Sequence, residues 1–557
     1  MPIYDGWVLA DHAAPGANLP VAPLLAPLFA ARGVDSTEAF ETFTRPRLEA
    51  LHDPAGIAGM EAAAERILRA VRDREGILIY GDYDVDGVTS IVLLRTVLRA
   101  LGARVDFVVP HRMFDGYGLK IEVIDRVLRD TEVGLVITVD CGITSVEPVE
   151  RAIERGIDVI ITDHHIPPEL LPAAAAVINP KQRGCAYPFK ELAGVGVAFK
   201  LCCELLRRAG HSMSIASLVK IAAIGTVADV APLIGENRAL VRLGLDGLAE
   251  SRNPGLRALL RSLGLLGRRL RATDVGFRIG PRINAAGRVA SANTAIDLFD
   301  ARSEGEAAPL VEELHRLNRQ RQTLEAEVLA AAEAAIAARG ALPPAIVVWG
   351  SGWHRGVVGL CAGRLAQKYH RPTLAIAVEG DEAVGSGRSI PGVDLHGELS
   401  ALGDVFDRFG GHTHACGFAL SAARLDDLRA RLEERLGRFE ASTFVRSLRL
   451  DAAVPLEALD ARLLADHDLL EPFGQENPQP VFVARGVQVE ARREFSPGCL
   501  RFLARQGSHR FPAVCWPAAT AALGPLVADG AVVDVAFRLE PDRFDGHRLE
   551  VVDAVEA

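Results

Sequence analysis

The sequence predicts an α/β protein made of a parallel-sheet domain, a long connecting helix, a second α/β domain and a C-terminal β barrel. Three observations carry this: short apolar runs alternating with helical patterns up to about residue 180, a stretch at 303–339 rich in Ala, Glu, Leu, Arg and Gln, and a tail of short alternating runs from 445. At 557 residues the chain exceeds one hydrophobic core, and roughly 150 residues per domain gives about three.

Taken in order, residues 1–45 form an N-terminal segment whose apolar stretches are broken by Pro20, Pro23 and Pro27. Within 46–302, strands are expected at 77–80, 105–109, 134–139, 159–162 and 175–178, with helices such as 89–101 and 146–155 between them. That spacing is the signature of βαβ units, whose functional groups gather at the carboxyl ends of the strands. The stretch 303–340 reads as one helix, ended by Gly340, Pro343 and Pro344. Strands at 345–349 and 373–378 around a helix at 357–369 mark a second α/β domain over 341–440, and runs at 481–483, 487–489 and 532–537 suit a small barrel over 445–557.

A hydrophobic content of 49% and a charged content of 24% are those of an ordinary globular protein. The net charge of -10 gives no global attraction for nucleic acid, so such a partner requires a local basic surface. No apolar stretch approaches the ~18 to 20 residues of a membrane span. The eight cysteines form no CxxC pair, which fits a reducing compartment. A cytoplasmic protein with no membrane partner is expected.

The chemistry begins at GDYDVDG, residues 81–87, where Asp82, Asp84 and Asp86 alternate directly after an apolar run. Alternate residues of an extended chain share a face, so the three acids are expected to converge at a strand end. Such a cluster is costly without a cation, and hard oxygen ligands suit Mg2+ or Mn2+. Asp140 in VDCGIT, Asp163, His164 and His165 in ITDHH, and Asp229 in GTVADVAPL add further strand-end or loop ligands. A lone Asp in such a place is usually a turn or helix cap and a lone His a core residue; the whole set is a site. Five or more carboxylates with an imidazole exceed the needs of one ion, so two ions bridged by a carboxylate are expected, with water between them attacking phosphorus. His164 and His165, as neighbours in an extended segment, are expected to point in opposite directions.

GDYDVDGVTS, VDCGIT and TDHH resemble the first three motifs of the DHH phosphoesterase superfamily, and TVADVAPL resembles the fourth. Within it, ELAGVGVAFKL (191–201), RIGPRINAAGR (278–288), GGHTHACG (410–417) and EPFGQENPQPVF (471–482) resemble the RecJ exonuclease family. The resemblance implies a DHH catalytic domain, a DHH-associated domain and an OB-like barrel. It also implies 5′ to 3′ release of 5′-mononucleotides from single-stranded DNA in repair and recombination. By motif, Asp82, Asp84, Asp86, Asp140, His164 and Asp229 are the implied ligands of two Mn2+ or Mg2+ ions, with Asp140 bridging and His165 next to the reacting phosphate. Implied partners beyond single-stranded DNA are a single-strand-binding protein, a RecQ-type helicase and mismatch-repair proteins, and a monomer is expected.

Between Arg252 and Arg288 nine arginines face a single acid, Asp274, a local stripe that answers the objection raised by net charge. Arg257 and Arg261 read as a solvated helix face, whereas Arg278, Arg282, Asn284 and Arg288 are expected on an ordered loop aimed at the strand. GSGRS (385–389) and GGHTHACG read as phosphate-cradling loops, with Ser386, Arg388 and His412 as donors. Arg112 is expected to bind a terminal 5′-phosphate together with Ser386 and Arg388. The competing readings are a phosphodiesterase of short oligonucleotides or cyclic dinucleotides, sharing the metal chemistry but not needing the C-terminal domain, and a non-catalytic single-strand-binding scaffold, which would have lost ligands.

Overall fold

The computed structural model describes residues 2–12, 18–112, 114–116, 118–128, 132–542 and 546–557. They form two compact units, Leu48–Phe444 and Met1–Arg47 with Val445–Ala557. Strand β1 (Gly6–Leu9) belongs to the second of these.

The larger unit opens with five parallel strands: β2 (Gly76–Gly81), β3 (Arg104–Val108), β4 (Leu135–Val139), β5 (Asp158–Thr162) and β6 (Ala176–Ile178), in the order β3-β2-β4-β5-β6. The central strands are apolar at successive positions because both faces are covered. Ile77, Ile79 and Ile137 enter one core, while Leu78, Tyr80, Val136, Val159 and Ile161 enter the other. The chain leaves β2 for β3 on one side and returns to β4 on the other, so the carboxyl ends of β2 and β4 flank the switch point at which open α/β sheets bind ligands.

Helix α1 (Val85–Ala100) follows β2 and packs against α2 (Gly194–Arg208) and α3 (Ile215–Ala228). RIGPRINAAGR is not a loop. It forms the end of a π-helical turn, Val275–Ile279, and then α4 (Gly280–Val289), with Pro281 tolerated in the first turn, where the backbone lacks an intrahelical acceptor in any case.

The connecting helix α5 spans Glu304–Ala337, with the Ser303 side chain accepting from the Glu306 N–H at its start. Its buried stripe changes allegiance along its length: Ala307, Val311, Leu314 and Leu317 join the core of the first sheet, whereas Ala332 and Ile336 pack with the second. Between them, buried Glu325 binds Arg321 of the same helix and Arg364 of α6 (Arg355–Tyr369).

The second sheet has the order β10-β11-β9-β8-β7, from β7 (Ile346–Ser351), β8 (Thr373–Glu379), β9 (Glu382–Arg388), β10 (Arg408–His412) and β11 (Ala415–Ser421). Only β7 and β8 are parallel. GSGRS and GGHTHACG, expected as loops, supply most of β9 and the β10–β11 hairpin. In β9 Ala383, Gly385 and Gly387 are buried, while Val384, Ser386 and Arg388 occupy the other face. A period of two with glycine on the packed face looks like a turn in sequence and is a strand in space.

In the terminal unit β1 pairs in parallel with β12 (Ser447–Leu450), and β13 (Ala452–Ala453) pairs with β14 (Phe482–Ser496). With β15 (Cys499–Gln506), β16 (His509–Cys515), β17 (Val532–Pro541) and β18 (His547–Glu556), β14 closes a five-stranded barrel, 14-15-16-18-17-14. Phe482, Phe502 and Phe537 fill it, and Leu25, Leu28 and Phe29 share that core, so residues 1–47 are part of the barrel unit and not a separate segment. No helix among the described residues is long and apolar enough to cross a membrane.

Buried Asp553 ties the N-terminal strand to the barrel, accepting from the backbone N–H of Ile3 (2.7 Å) and the indole Nε1–H of Trp7 (2.8 Å). Asp553→Ala strands those donors. It is expected to lower the stability of this unit by about 2 to 4 kcal/mol, read as an earlier Trp7 fluorescence transition on heating, with Asp553→Asn losing less.

Candidate two-metal active site

The site is assembled where β2 and β4 end. Asp82 directly follows β2 and is buried. Asp84 caps α1, its Oδ1 accepting from the backbone N–H of Asp86 (2.8 Å) and Gly87 (3.0 Å), and Asp86 lies in the first helical turn. The three acids therefore converge because the chain passes from strand to helix between them, and not through alternation along an extended segment.

Both oxygens of Asp86 accept from the first N–H groups of α2, those of Gly194 and Val195, each at 2.7 Å. The partial positive charge of that helix end favours the carboxylate. Gly194 is required there, since a Cβ would lie 2.6 Å from Asp140 Oδ1. Asp140 follows β4 at φ 59°, its N–H donating to the Thr162 carbonyl at 3.0 Å. Asp229 is delivered by the C-terminus of α3, not by a strand end, and is followed by Val230 at φ 61°. A β-branched residue in the left-handed region is strained, and such strain concentrates at functional sites.

His164 Nε2 lies 3.1 Å from Asp140 Oδ1 and 3.9 Å from Asp86 Oδ2, and its Nδ1 lies 3.9 Å from Asp229 Oδ2. Asp86, His164 and Asp229 offer ligand atoms within 4.8 Å of one another, and so do Asp82, Asp84 and Asp140; a third such group, Asp140, His164 and His165, links them. The six motif residues thus fall into two adjoining groups of potential ligand atoms, with Asp140 linked to both.

The electrostatics favour either protons or cations on the acids. Burial, and then the neighbouring carboxylates, hold Asp82, Asp140 and Asp229 well above the usual carboxylate range, and the same causes push Asp86 up to about 7. Asp82 Oδ1, Asp140 Oδ1 and His164 Nε2 are buried and make no hydrogen bond among the described residues. Burial, and then the charge of His165, lowers His164 to about 3, leaving a neutral imidazole able to ligate. Five carboxylates and a neutral imidazole fit Mn2+ or Mg2+.

His165 serves differently. Its Nδ1 lies 2.7 Å from Asp163 Oδ1, which also accepts from the His164 and His165 backbone N–H groups, while Asp163 Oδ2 accepts from Ile143 N–H at 2.9 Å. Burial opposes charge on both partners, yet the pair prevails: Asp163 is lowered and His165 raised. The two imidazoles are not splayed to opposite sides. Their centroids lie 4.4 Å apart, because Asp163 folds His165 back toward His164.

Three arginines gather beside the acids. Arg112 stacks over the Tyr83 ring at 4.8 Å, Arg288 donates to the Gly356 carbonyl (3.1 Å), and Arg388 donates to the Gly387 carbonyl (2.8 Å). None pairs with a carboxylate among the described residues. Burial and then the charge of Arg112 lower both Arg288, to about 9, and Arg388. Ser386 and Arg388 approach Gly359 of α6, where a Cβ would meet Ser386 Oγ at 3.1 Å and Arg388 Nη2 at 3.2 Å. His412 is exposed, and its imidazole is lowered by burial and then by the charge of His165.

The rest of the predicted basic set divides. Arg278 is committed to Asp274 and the Leu263 carbonyl, and Arg257 and Arg261 to Glu304. Arg282 donates from Nη1 to the Arg278 carbonyl (2.9 Å), and its buried Nε and the buried Oδ1 of Asn284 make no hydrogen bond among the described residues. Sequence reasoning passed over Tyr83, whose ring carries Arg112, and Asn179, whose Nδ2 donates to the His165 carbonyl (2.9 Å); the INPKQ run directly after β6 was the available signal.

Raised carboxylate pKa values mean that the metal-free folded protein holds protons that the unfolded chain releases near pH 4, so its stability falls as pH rises through about 7. His165, also raised, contributes in the same direction. In EDTA the melting temperature is expected to drop between pH 5 and pH 8, and Mn2+ to restore it by a margin that grows with pH. Asp140→Asn should raise the melting temperature in EDTA and shrink the Mn2+ gain; a flat profile in EDTA would contradict the assignment.

Three family models match: the DHH family N-terminal domain over 76–226, the DHHA1 domain over 342–438 and the RecJ OB domain over 450–552. The chain is 39% identical over 481 residues to the single-stranded-DNA-specific exonuclease RecJ of Bacillus subtilis, covering 86% of this chain and 60% of that protein. To the RecJ of Escherichia coli it is 38% identical, covering 84% of this chain and 83% of that one. The crystal structure of Thermus thermophilus RecJ with Mn2+ matches with a TM-score of 0.85 at 32% identity, over 99% of this chain and 80% of that one, and its Mg2+ complex with a TM-score of 0.78. With the acid cluster, both sheets and the closed barrel in their places, the chain belongs to the RecJ family of DHH phosphoesterases.

Proposed function

We propose that this chain is an exonuclease specific for single-stranded DNA, that it uses two Mn2+ or Mg2+ ions to release 5′-mononucleotides from the 5′ end, and that it serves DNA repair and recombination. The observation that carries the reading is the pairing of an acid cluster that has room for two ions with three half-buried guanidiniums, those of Arg112, Arg288 and Arg388, that pair with no carboxylate among the described residues. Such guanidiniums bind a terminal phosphate, and an anchored 5′ end sets polarity.

When bound, the ions supply Lewis acidity, lowering the pKa of water and offsetting the phosphate charge. Asp82 and Asp84 would hold one ion and Asp86, His164 and Asp229 the other, with Asp140 available to both. Arg112, Ser386 and Arg388 hold the 5′-phosphate of the terminal nucleotide, so that the phosphorus of the second nucleotide lies over the acids. Water adds to that phosphorus as O3′ of the first nucleotide departs, leaving a 5′-phosphate on both products. His165, oriented and kept basic by Asp163, donates from Nε2 toward the phosphate or the departing oxygen. The barrel unit supplies a surface for the strand beyond the first nucleotides, which favours a polymer over a dinucleotide substrate.

The test is digestion of a long 5′-labelled single strand, its duplex and a short oligomer in Mn2+, Mg2+ or EDTA. Immediate release of labelled mononucleotide from the long single strand alone, abolished by EDTA, is expected; cleavage of only the short oligomer, or binding without cleavage, would overturn the reading. Asp140→Ala should lower hydrolysis by about 10³-fold or more while retaining strand binding in a gel-shift assay. Arg388→Ala should cut the preference for 5′-phosphorylated over 5′-hydroxyl ends by about tenfold, seen as the ratio of the two kcat/KM values.

A further inference from the structure

Phe277 is 78% exposed, yet it sits at the centre of the π-helical turn between Val275 and Ile279, both fully buried. That turn is fastened to the end of α3: a Cβ at Gly276 would lie 4.0 Å from Val227 Cγ1 and one at Gly280 3.6 Å from Ala228 Cβ, the two residues before Asp229. The backbone thus holds a bare aromatic ring close to a metal ligand. Val230, 63% exposed at φ 61°, adds apolar surface at the same end of α3. One exposed phenyl ring is ordinary on a protein surface; what sets Phe277 apart is its place on a packed turn beside the helix end that carries Asp229.

The surroundings select the occupant. Phe277 lies in a sequence stripe of nine arginines against one acid; Arg257, Arg261 and Arg278 are paired with carboxylates, while the next turn brings Arg282, whose Nη1 donates to the Arg278 carbonyl and whose Nε makes no hydrogen bond among the described residues. An exposed ring with such a guanidinium one turn on suits a nucleobase with its phosphate. A base within a duplex has both faces covered by its neighbours, whereas an unpaired base offers one.

We propose that Phe277 is a stacking platform for one base of the bound strand, adding affinity for unpaired DNA. This rests on the exonuclease reading above.

The test is a scan with a single abasic site moved along a 5′-phosphorylated single strand, measured both as KM and kcat in Mn2+ and as equilibrium binding in EDTA. For the unsubstituted protein, an abasic site at one position is expected to raise KM and the dissociation constant about tenfold, the stacking worth of one base. Phe277→Ala should impose that penalty on the intact strand and erase the position dependence, with kcat and the Mn2+ stabilisation unchanged, and Phe277→Trp should restore both affinity and position dependence. Identical scans for Phe277→Ala and the unsubstituted protein would overturn the proposal, as would a loss confined to kcat. If the unsubstituted protein fails to digest any strand in Mn2+, the exonuclease reading falls by itself; the EDTA binding scan still decides whether Phe277 stacks.

Discussion

The constraint on which the rest depends is the concentration of negative charge between the ends of β2 and β4. Burying several carboxylates without counter-charge is among the costliest arrangements a fold can hold, and here the neighbourhood is shaped to keep them close. The first N–H groups of α2 bind Asp86, Gly194 lets Asp140 approach, and two residues in the left-handed region aim or flank Asp140 and Asp229. Each device brings the acids together without neutralising them, which leaves cations to do so.

The same logic applies with opposite sign to the neighbouring arginines. Arg112, Arg288 and Arg388 could discharge the acids by pairing with them, and that would remove both sites at once. Tyr83 takes one of the arginines instead. Its side chain is buried, burial pushes its phenol well up so that it stays neutral, and its ring takes the Arg112 guanidinium on its face. Gly287 of α4 lies against the Tyr83 carbonyl, where a Cβ would come within 2.2 Å, so the helix carrying Arg288 is clamped to the strand-to-helix turn carrying the acids. The negative and positive clusters are held adjacent and unpaired, ready for a phosphodiester and its cations.

The part of this legible in the sequence was the part written in local patterns. The five parallel strands and the long helix lie where apolar runs and composition place them, because a strand buried on both faces and a helix without internal breakers have few alternatives. The identities of the acids were equally visible, but the route by which they meet was not: an N-cap and a strand look alike in GDYDVDG, and only the hydrogen bonds of Asp84 separate them. Glycine misled twice. In β9 and in the β10–β11 hairpin it marks close packing, and in RIGPRINAAGR it lies within a helix, yet in both places it reads as a turn. Arg278 illustrates a further limit, since its partner Asp274 is visible in sequence but its commitment to the Leu263 carbonyl depends on long-range packing. The membership of residues 1–47 in the barrel core is likewise a tertiary fact without a local signal.

The adjacency of the two clusters also couples metal and strand. A phosphate approaching the acids without cations meets repulsion from carboxylates in a low-dielectric setting, where screening by salt is weak. Cations remove that repulsion and add attraction, so each ligand increases the affinity for the other, reciprocally and by the same factor. The guanidiniums contribute their attraction whether or not the cations are present, so they bind the strand in either state but discriminate little between the two. On the proposed reading, affinity for the terminus resides mainly in the arginines and competence for hydrolysis in the acids, so substitutions in the two clusters should separate binding from cleavage.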